Sequence, residues 1–304
     1  MKAAVIDLGT NTFHLIIAEC SGSDVEVLYK TNVPVRLGQG RINENIIIPE
    51  AFERGIRTLK DFKPEIDKHH VNVTRAIATS ALRSADNGQD FVDAAKLAGL
   101  EIEVISGDQE AAYIFEGVKA TGTIDGTSLI MDIGGGSTEF IICDEKGLIW
   151  KKSYNLGAAR LMQAYFKTDP ISNENQAAII AHISRELKDL KEACKQHNPQ
   201  RLIGSAGAFE TFAVLLNEAI DLQNTISAEL DPEAYKQLAG QLIRSTHEER
   251  KHIKGLIPLR VDMIVIASIL TNYVIKELDL NSLHLSAYDL KMGVLYSICQ
   301  SNGQ

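Results

Sequence analysis

Ser128-Leu129-Ile130-Met131-Asp132-Ile133-Gly134-Gly135-Gly136-Ser137-Thr138-Glu139 runs from an apolar strand into an acid, then into a loop of glycines and a hydroxyl. The same order of residue types stands earlier, in Ala3-Ala4-Val5-Ile6-Asp7-Leu8-Gly9-Thr10-Asn11-Thr12. Each stretch leads into a second strand-like run, Phe13–Ala18 in one and Glu139–Cys143 in the other, and then a third, Val25–Tyr29 and Leu148–Trp150. The two acids lie 125 residues apart in a chain of 304, which predicts two related halves. Hairpin loops of this kind gather backbone N–H groups and hydroxyls around an anion, beside an aspartate able to hold a cation. They predict a protein that handles phosphate.

Outward from these loops, strands alternate with helices, the pattern of an α/β fold with mixed sheets flanked by helices. Pro49 to Lys68 has helical spacing with Phe52, Ile56, Leu59, Phe62 and Ile66 on one face. Val71–Ala78 reads as a strand, Gln89–Ala98 as a helix, Glu101–Ile105 as a strand, and Ser106-Gly107-Asp108 as the turn and cap of a helix through Val118. Ser172–His197 reads as one amphipathic helix, Leu202–Ala208 as a strand entering a Gly-rich turn, and Asp231–Leu278 as mainly helical. Leu283–Ser286 reads as a short strand before a final helix. The stretch Thr121–Thr127, rich in threonine and glycine, is the most linker-like. It divides the chain into a first domain, 1–122, completed by a C-terminal helix at 287–304, and a second domain, 123–286.

Composition narrows the function classes. A net charge of −9 argues against nonspecific nucleic-acid binding, although a local basic channel can serve a polyanion. Candidate contributors to such a channel are Arg36, Arg41, Arg83, Lys151, Lys152, Arg250, Lys251 and Lys254, most of which need only solvate a surface. The four cysteines form no C-x-x-C pair, and their scatter predicts buried free thiols in a reducing cytoplasm. Val261 to Ile275 is interrupted by Asp262, Ser268, Thr271 and Asn272 and is shorter than the roughly 20 residues of a spanning helix, which predicts a buried soluble helix and no membrane association. His247-Glu248-Glu249-Arg250-Lys251-His252 has its histidines five apart, one more than a helical zinc pair needs, and predicts a solvated charged helix.

Loop by loop, Gly9 allows close backbone approach while Thr10, Asn11 and Thr12 offer side-chain donors. Gly134, Gly135, Gly136 and Ser137 form a backbone nest for phosphate oxygens, and Glu139 stands where it can share a divalent ion with Asp132. Gly204-Ser205-Ala206-Gly207 is a third Gly-rich strand–turn–helix, by itself only a helix N-terminus; in a two-lobed phosphotransferase-like fold Gly204 and Ser205 would face a nucleotide or the far end of a phosphate chain.

The order of these three loops resembles the actin-like (ribonuclease H-like) ATPase superfamily, to which sugar kinases belong. The words between them are more specific. Asp7–Thr12, Val35-Arg36-Leu37-Gly38, Ala78-Thr79-Ser80-Ala81-Leu82-Arg83, Ile105-Ser106-Gly107-Asp108-Gln109-Glu110 and Asp132–Glu139 resemble the exopolyphosphatase / guanosine pentaphosphate phosphohydrolase (Ppx/GppA) family. The resemblance runs from residue 1 to about residue 300 and implies an active site in a cleft between the two domains. It implies Glu110 as catalytic base, and Asp132 and Glu139, with Asp7 as a further partner, as ligands of Mg²⁺, for which Mn²⁺ can substitute. Asp7, Gly9–Thr12, Arg83 and Gly134–Ser137 are implied phosphate contacts. The implied reaction is release of terminal orthophosphate from inorganic polyphosphate. The runner-up substrate is pppGpp, and the alternatives of another class are a kinase or a phosphate or alarmone sensor. The same resemblance implies a homodimer.

Some words depart from the family pattern. Asp289-Leu290-Lys291-Met292-Gly293 stands where the family carries G-L-R-E-G. Met263–Ser268 lacks the usual proline and glycines, which predicts continuous helix. The family's I-S-G-x-E-E keeps only its second acid, Glu110. The chain also lacks the extra C-terminal domain of longer members, which limits its expected hold on a long polymer.

Overall fold

The structure is a computed structural model that describes residues 1–22 and 24–301. In chain order the elements begin β1 (Lys2–Leu8), β2 (Phe13–Ser21), β3 (Asp24–Val33), α1 (Pro49–Lys68), β4 (Val73–Ala78), α2 (Ser80–Ser84) and α3 (Gly88–Leu97). Next come β5 (Ile102–Val104), α4 (Gly107–Ala120), β6 (Ser128–Ile133), β7 (Thr138–Asp144), β8 (Gly147–Tyr154), α5 (Ala158–Tyr165), α6 (Asn173–Glu186) and α7 (Lys188–His197). The chain closes with β9 (Arg201–Ser205), α8 (Ala206–Leu216), β10 (Ser227–Leu230), α9 (Pro232–Arg244), α10 (His247–Lys251), α11 (Met263–Glu277), β11 (Ser282–Ser286) and α12 (Leu290–Ser301).

The residues fall into two compact units, Met1–Gly117 with Leu290–Gln304, and Val118–Asp289. Where the sequence puts the junction at residues 122 and 123, the contacts divide inside the last turn of α4. The first unit holds a five-stranded sheet of order β3-β2-β1-β4-β5, and the second a six-stranded sheet of order β10-β11-β9-β6-β7-β8. Read from their β3 and β8 edges, the two sheets have one plan: an antiparallel meander, then a parallel strand beside its innermost member. Even the irregularities correspond. The pairing of β2 with β3 shifts register between Ile17 and Ala18, and that of β7 with β8 between Ile142 and Cys143, again 125 residues on. These are two mixed sheets flanked by helices, the actin-like architecture.

Local chemistry explains where the elements begin. Pro49 opens α1 at the one position where its missing N–H costs nothing, and Leu59, Phe62 and Ile66 are buried on the predicted face. They join Phe13, Leu15 and Ile17 of β2 in the first unit's core. The second unit's core gathers β6 and β7 side chains such as Met131 and Phe140 with α11, whose residues from Ile264 to Thr271 are all buried. Helix α11 is continuous, as expected, and among the described residues no helix is long and apolar enough to cross a membrane.

Three expectations need correction. The predicted helix Ser172–His197 is two helices, interrupted at Leu187 (φ −92°, ψ 22°), which ends α6 and starts α7. Cys20 and Cys299 are not free thiols but a disulfide, a pairing invisible at a sequence separation of 279. Cys143 and Cys194 are free, and burial pushes each thiol up to about 12, so both are poor nucleophiles. Finally, Arg250 is no surface base: it is 0 % exposed and ion-paired to Asp169 and Asp262.

Candidate active site

The two phosphate-loop candidates have the same internal geometry. The Gly9 N–H donates to the Thr12 carbonyl at 3.1 Å, and the Gly134 N–H donates to the Ser137 carbonyl at 3.0 Å. A Cβ at either glycine would sit 2.9 or 3.0 Å from that same carbonyl oxygen, so only glycine fits the turn comfortably. Each loop is braced from behind. The carbonyls of Thr10 and Asn11 accept from Gly38 and Arg36, which fixes the Val35–Gly38 word against the first loop. The carbonyls of Gly134 and Gly135 accept from Ala158, Ala159 and Arg160 at the start of α5, and Arg160 Nε donates to the Gly136 carbonyl at 3.1 Å. With its carbonyls turned toward α5, the second loop leaves the Gly135 and Gly136 amides without an acceptor among the described residues. That is the polarity an anion needs.

Glu110 lies in the first turn of α4, whose start is set by a capping box. Ser106 Oγ accepts from the Gln109 N–H at 3.2 Å, and Gln109 Oε1 accepts from the Ser106 N–H at 2.9 Å. Glu110 is only 7 % exposed. Arg83, on α2, donates from Nη1 to Glu110 Oε2 at 2.8 Å and to the Ile105 carbonyl at 3.1 Å. Burial raises the Glu110 pKa, and the charge and hydrogen bond of Arg83 lower it; burial wins. The carboxyl is therefore a stronger base than an exposed glutamate. At the start of α2, the Ser80 hydroxyl is buried with no hydrogen-bond partner among the described residues.

In the second unit, Asp132 of β6 and Glu139 of β7 are direct cross-strand partners. Such a pair projects from one face of the sheet with Cβ atoms about 5 Å apart. Two carboxylates this close, 7 % and 1 % exposed, call for positive charge between or beside them. Each is oriented by a serine: Ser205 Oγ donates to Asp132 Oδ2 at 3.1 Å, and Ser153 Oγ donates to Glu139 Oε1 at 2.6 Å. Among the described residues no three His, Cys, Asp or Glu side chains form a metal cage. Two oriented carboxylates with the other positions left to water and substrate oxygens are, however, the donor set a small hard cation prefers. The corresponding pair in the first unit is Asp7 opposite His14.

The third Gly-rich turn is placed differently from a simple substrate loop. Gly204 is buried under the ring of Phe209, and Ser205 is fully buried, its hydroxyl aimed at Asp132. Arg260 is not singled out by the sequence. Its guanidinium lies over Gly207, with Nε 3.1 Å from where a Cβ would stand. Burial lowers its pKa, while Glu210 and Asp132 act in the opposite direction. The signal that could have found it was the lone arginine before a long apolar run. Of the basic candidates, Arg41, Lys152, Lys251 and Lys254 are paired with Glu44, Asp189, Glu248 and Glu218. His247 Nδ1 bonds Asp262 at 2.7 Å and His252 Nδ1 bonds the Glu248 carbonyl at 2.7 Å.

Twin actin-like sheets with one phosphate-type loop apiece define a class of phosphate-handling proteins. The chain belongs within that class to the Ppx/GppA phosphatase family, whose model matches residues 15–302. It is 30 % identical over 298 residues to a Haemophilus influenzae protein whose name, exopolyphosphatase, is itself provisional, covering 98 % of this chain and 91 % of that one. A crystal structure of an exopolyphosphatase from Cytophaga hutchinsonii matches with a TM-score of 0.95 at 37 % identity, covering 99 % of this chain and 98 % of that chain. A guanosine-5'-triphosphate,3'-diphosphate pyrophosphatase from Pseudoalteromonas translucida is 30 % identical over 97 % of this chain, which spans only 59 % of that longer protein.

Proposed function

We propose that this protein hydrolyses the terminal phosphoanhydride bond of inorganic polyphosphate and releases orthophosphate, with Glu110 as general base. The observation that carries the reading is the buried Glu110 carboxyl, its pKa raised, set by a capping box at the start of α4 and held by Arg83. In this reading the Glu110 carboxylate takes a proton from water, and the water oxygen attacks the terminal phosphorus in line with the bridging oxygen, which leaves with its electron pair. Arg83 and the amides of Gly135 and Gly136 neutralise charge on the equatorial oxygens. Asp7 and the Gly9–Thr12 loop are further phosphate contacts in this reading. Asp132 and Glu139 hold Mg²⁺, which when bound adds positive charge beside the phosphate oxygens.

Polyphosphate is supported by the 37 % identity and TM-score of 0.95 to a protein described as an exopolyphosphatase, against 30 % identity to the pyrophosphatase. The pppGpp 5'-phosphohydrolase reading rests on that pyrophosphatase relative. Phosphate release from the two substrates with Mg²⁺, measured side by side, separates them. A larger kcat/KM on polyphosphate is expected; a larger value on pppGpp would reverse the assignment. ATP-dependent phosphorylation of an acceptor without bulk hydrolysis would instead favour a kinase.

A further inference from the structure

We propose that the C-terminal helix α12 is the mount of the helix that carries Glu110, with Gly293 as a positioning residue and the Cys20–Cys299 disulfide as the latch that holds the mount in place. The inference rests on the reading of Glu110 as the base. Helices α12 and α4 meet backbone to backbone. A Cβ at Gly293 would overlap the Tyr113 carbonyl oxygen and would stand 2.6 Å from its carbon and 3.0 Å from the Gly117 nitrogen. No side chain fills that contact, so α4 has no soft layer to absorb a shift of α12. Tyr113 lies one turn beyond Glu110 on the same helix face. It is fixed from its other end by Arg75, whose Nη1 donates to the Tyr113 hydroxyl at 3.0 Å and whose guanidinium lies over the ring.

The latch lies at the far end of α12, six residues past Gly293. Cys299 is bonded to Cys20, next to the last residue of β2, with Cα atoms 5.4 Å apart. The Cys20 side is itself pinned: the Met1 ammonium donates to the Cys20 carbonyl at 2.8 Å, and the Cys20 N–H donates to the Met1 carbonyl at 2.7 Å. A covalent path therefore runs from the N-terminal sheet through α12 to the crossing at Tyr113. The remaining thiols, Cys143 and Cys194, are buried and poorly ionised, so neither competes for the pair.

Cys20 and Cys299 are buried, so a small dithiol in excess reaches the bond through local opening. The dithiol gives up two electrons and two protons and closes to its own disulfide, while the Cys20–Cys299 bond breaks and each sulfur gains a hydrogen. Opening it lets α12 shift, which tilts α4 and moves Glu110. Glu110 acts only in the chemical step, so kcat should fall while KM holds. A small displacement of a catalytic group predicts a loss of roughly tenfold.

The test compares the full chain before and after dithiol treatment, beside Cys299→Ala and Gly293→Ala. Thiol titration of the unfolded, untreated protein should find the two unpaired cysteines, Cys143 and Cys194, and all four after reduction. Amide hydrogen exchange across residues 107–120 should speed up on reduction, as should that of untreated Cys299→Ala, which should not respond to dithiol. Both should show the kcat loss at constant KM, and Gly293→Ala a larger one. Equal exchange and equal kcat in the oxidised and reduced proteins would overturn the proposal, as would four titratable thiols before reduction. If no form of the protein hydrolyses either substrate, the assigned reaction fails, and the exchange comparison still decides whether α12 holds α4.

Discussion

Glu110 sits where its surroundings disfavour its charge, and that conflict is what makes it useful. Burial raises its pKa although Arg83 pulls the other way. As a base it must be deprotonated, so kcat/KM should rise with pH through this raised value and level off above it. The stability sign follows from the same shift. A carboxyl whose pKa is higher folded than unfolded favours the fold at low pH and loses that contribution as pH rises through the folded pKa. Glu110→Gln should therefore cut turnover by about 10²–10⁴-fold yet melt no lower than wild type at neutral pH, because the amide oxygen still accepts from Arg83. Thermal unfolding and steady-state rates measured together check both halves. Ser205→Ala removes the donor that orients Asp132, and should raise the Mg²⁺ concentration for half-maximal rate roughly tenfold, read from a metal titration. The acids and Arg83 were legible in the sequence because short words surround them. The roles of Ser205 and Arg260 were not, because each depends on a strand or turn brought next to Asp132 from more than 70 residues away.

At the scale of elements, the second phosphate loop owes its shape to α5. The carbonyls of Gly134 and Gly135 accept the first amides of that helix, and Gly157, the residue before it, lies directly against Gly135 and Gly136. A Cβ at Gly157 would overlap loop backbone rather than a movable side chain. Gly157→Ala should lower stability by about 1–3 kcal/mol and raise KM for a phosphate substrate, seen by comparing denaturant midpoints with substrate saturation curves. The sequence revealed α1 to its ends, because Pro49 and a regular apolar face marked it. It did not reveal α5, which lies in a stretch without strong caps, or the break at Leu187, where an unbroken amphipathic pattern spans two helices. Periodicity reports which side of a helix is buried, and not whether the backbone turns between two runs that share a side.

Across the whole molecule, the chain repeats one plan. The acid, the loop and even the bulge recur 125 residues later, and the sheets have matching order. The repeat was readable because strands and tight loops are local. The disulfide was not, since it joins residues 279 apart and depends on the return of α12 to the first unit. Divergence between the halves falls at one informative place: the partner of the strand-end acid is His14 in the first and Glu139 in the second. An imidazole beside Asp7 and a carboxylate beside Asp132 assign the stronger cation attraction to the second half. Asp132→Asn should accordingly weaken Mg²⁺ activation more than Asp7→Asn, in metal titrations of the two variants. Hydrolysis driven by Glu110 is read from orthophosphate release from polyphosphate in the presence of Mg²⁺, wild type against Glu110→Gln at equal enzyme concentration. Steady release by the wild type is expected, with a rate at least about a hundredfold lower for the variant. Equal rates, or no release by the wild type from polyphosphate or pppGpp, would contradict it.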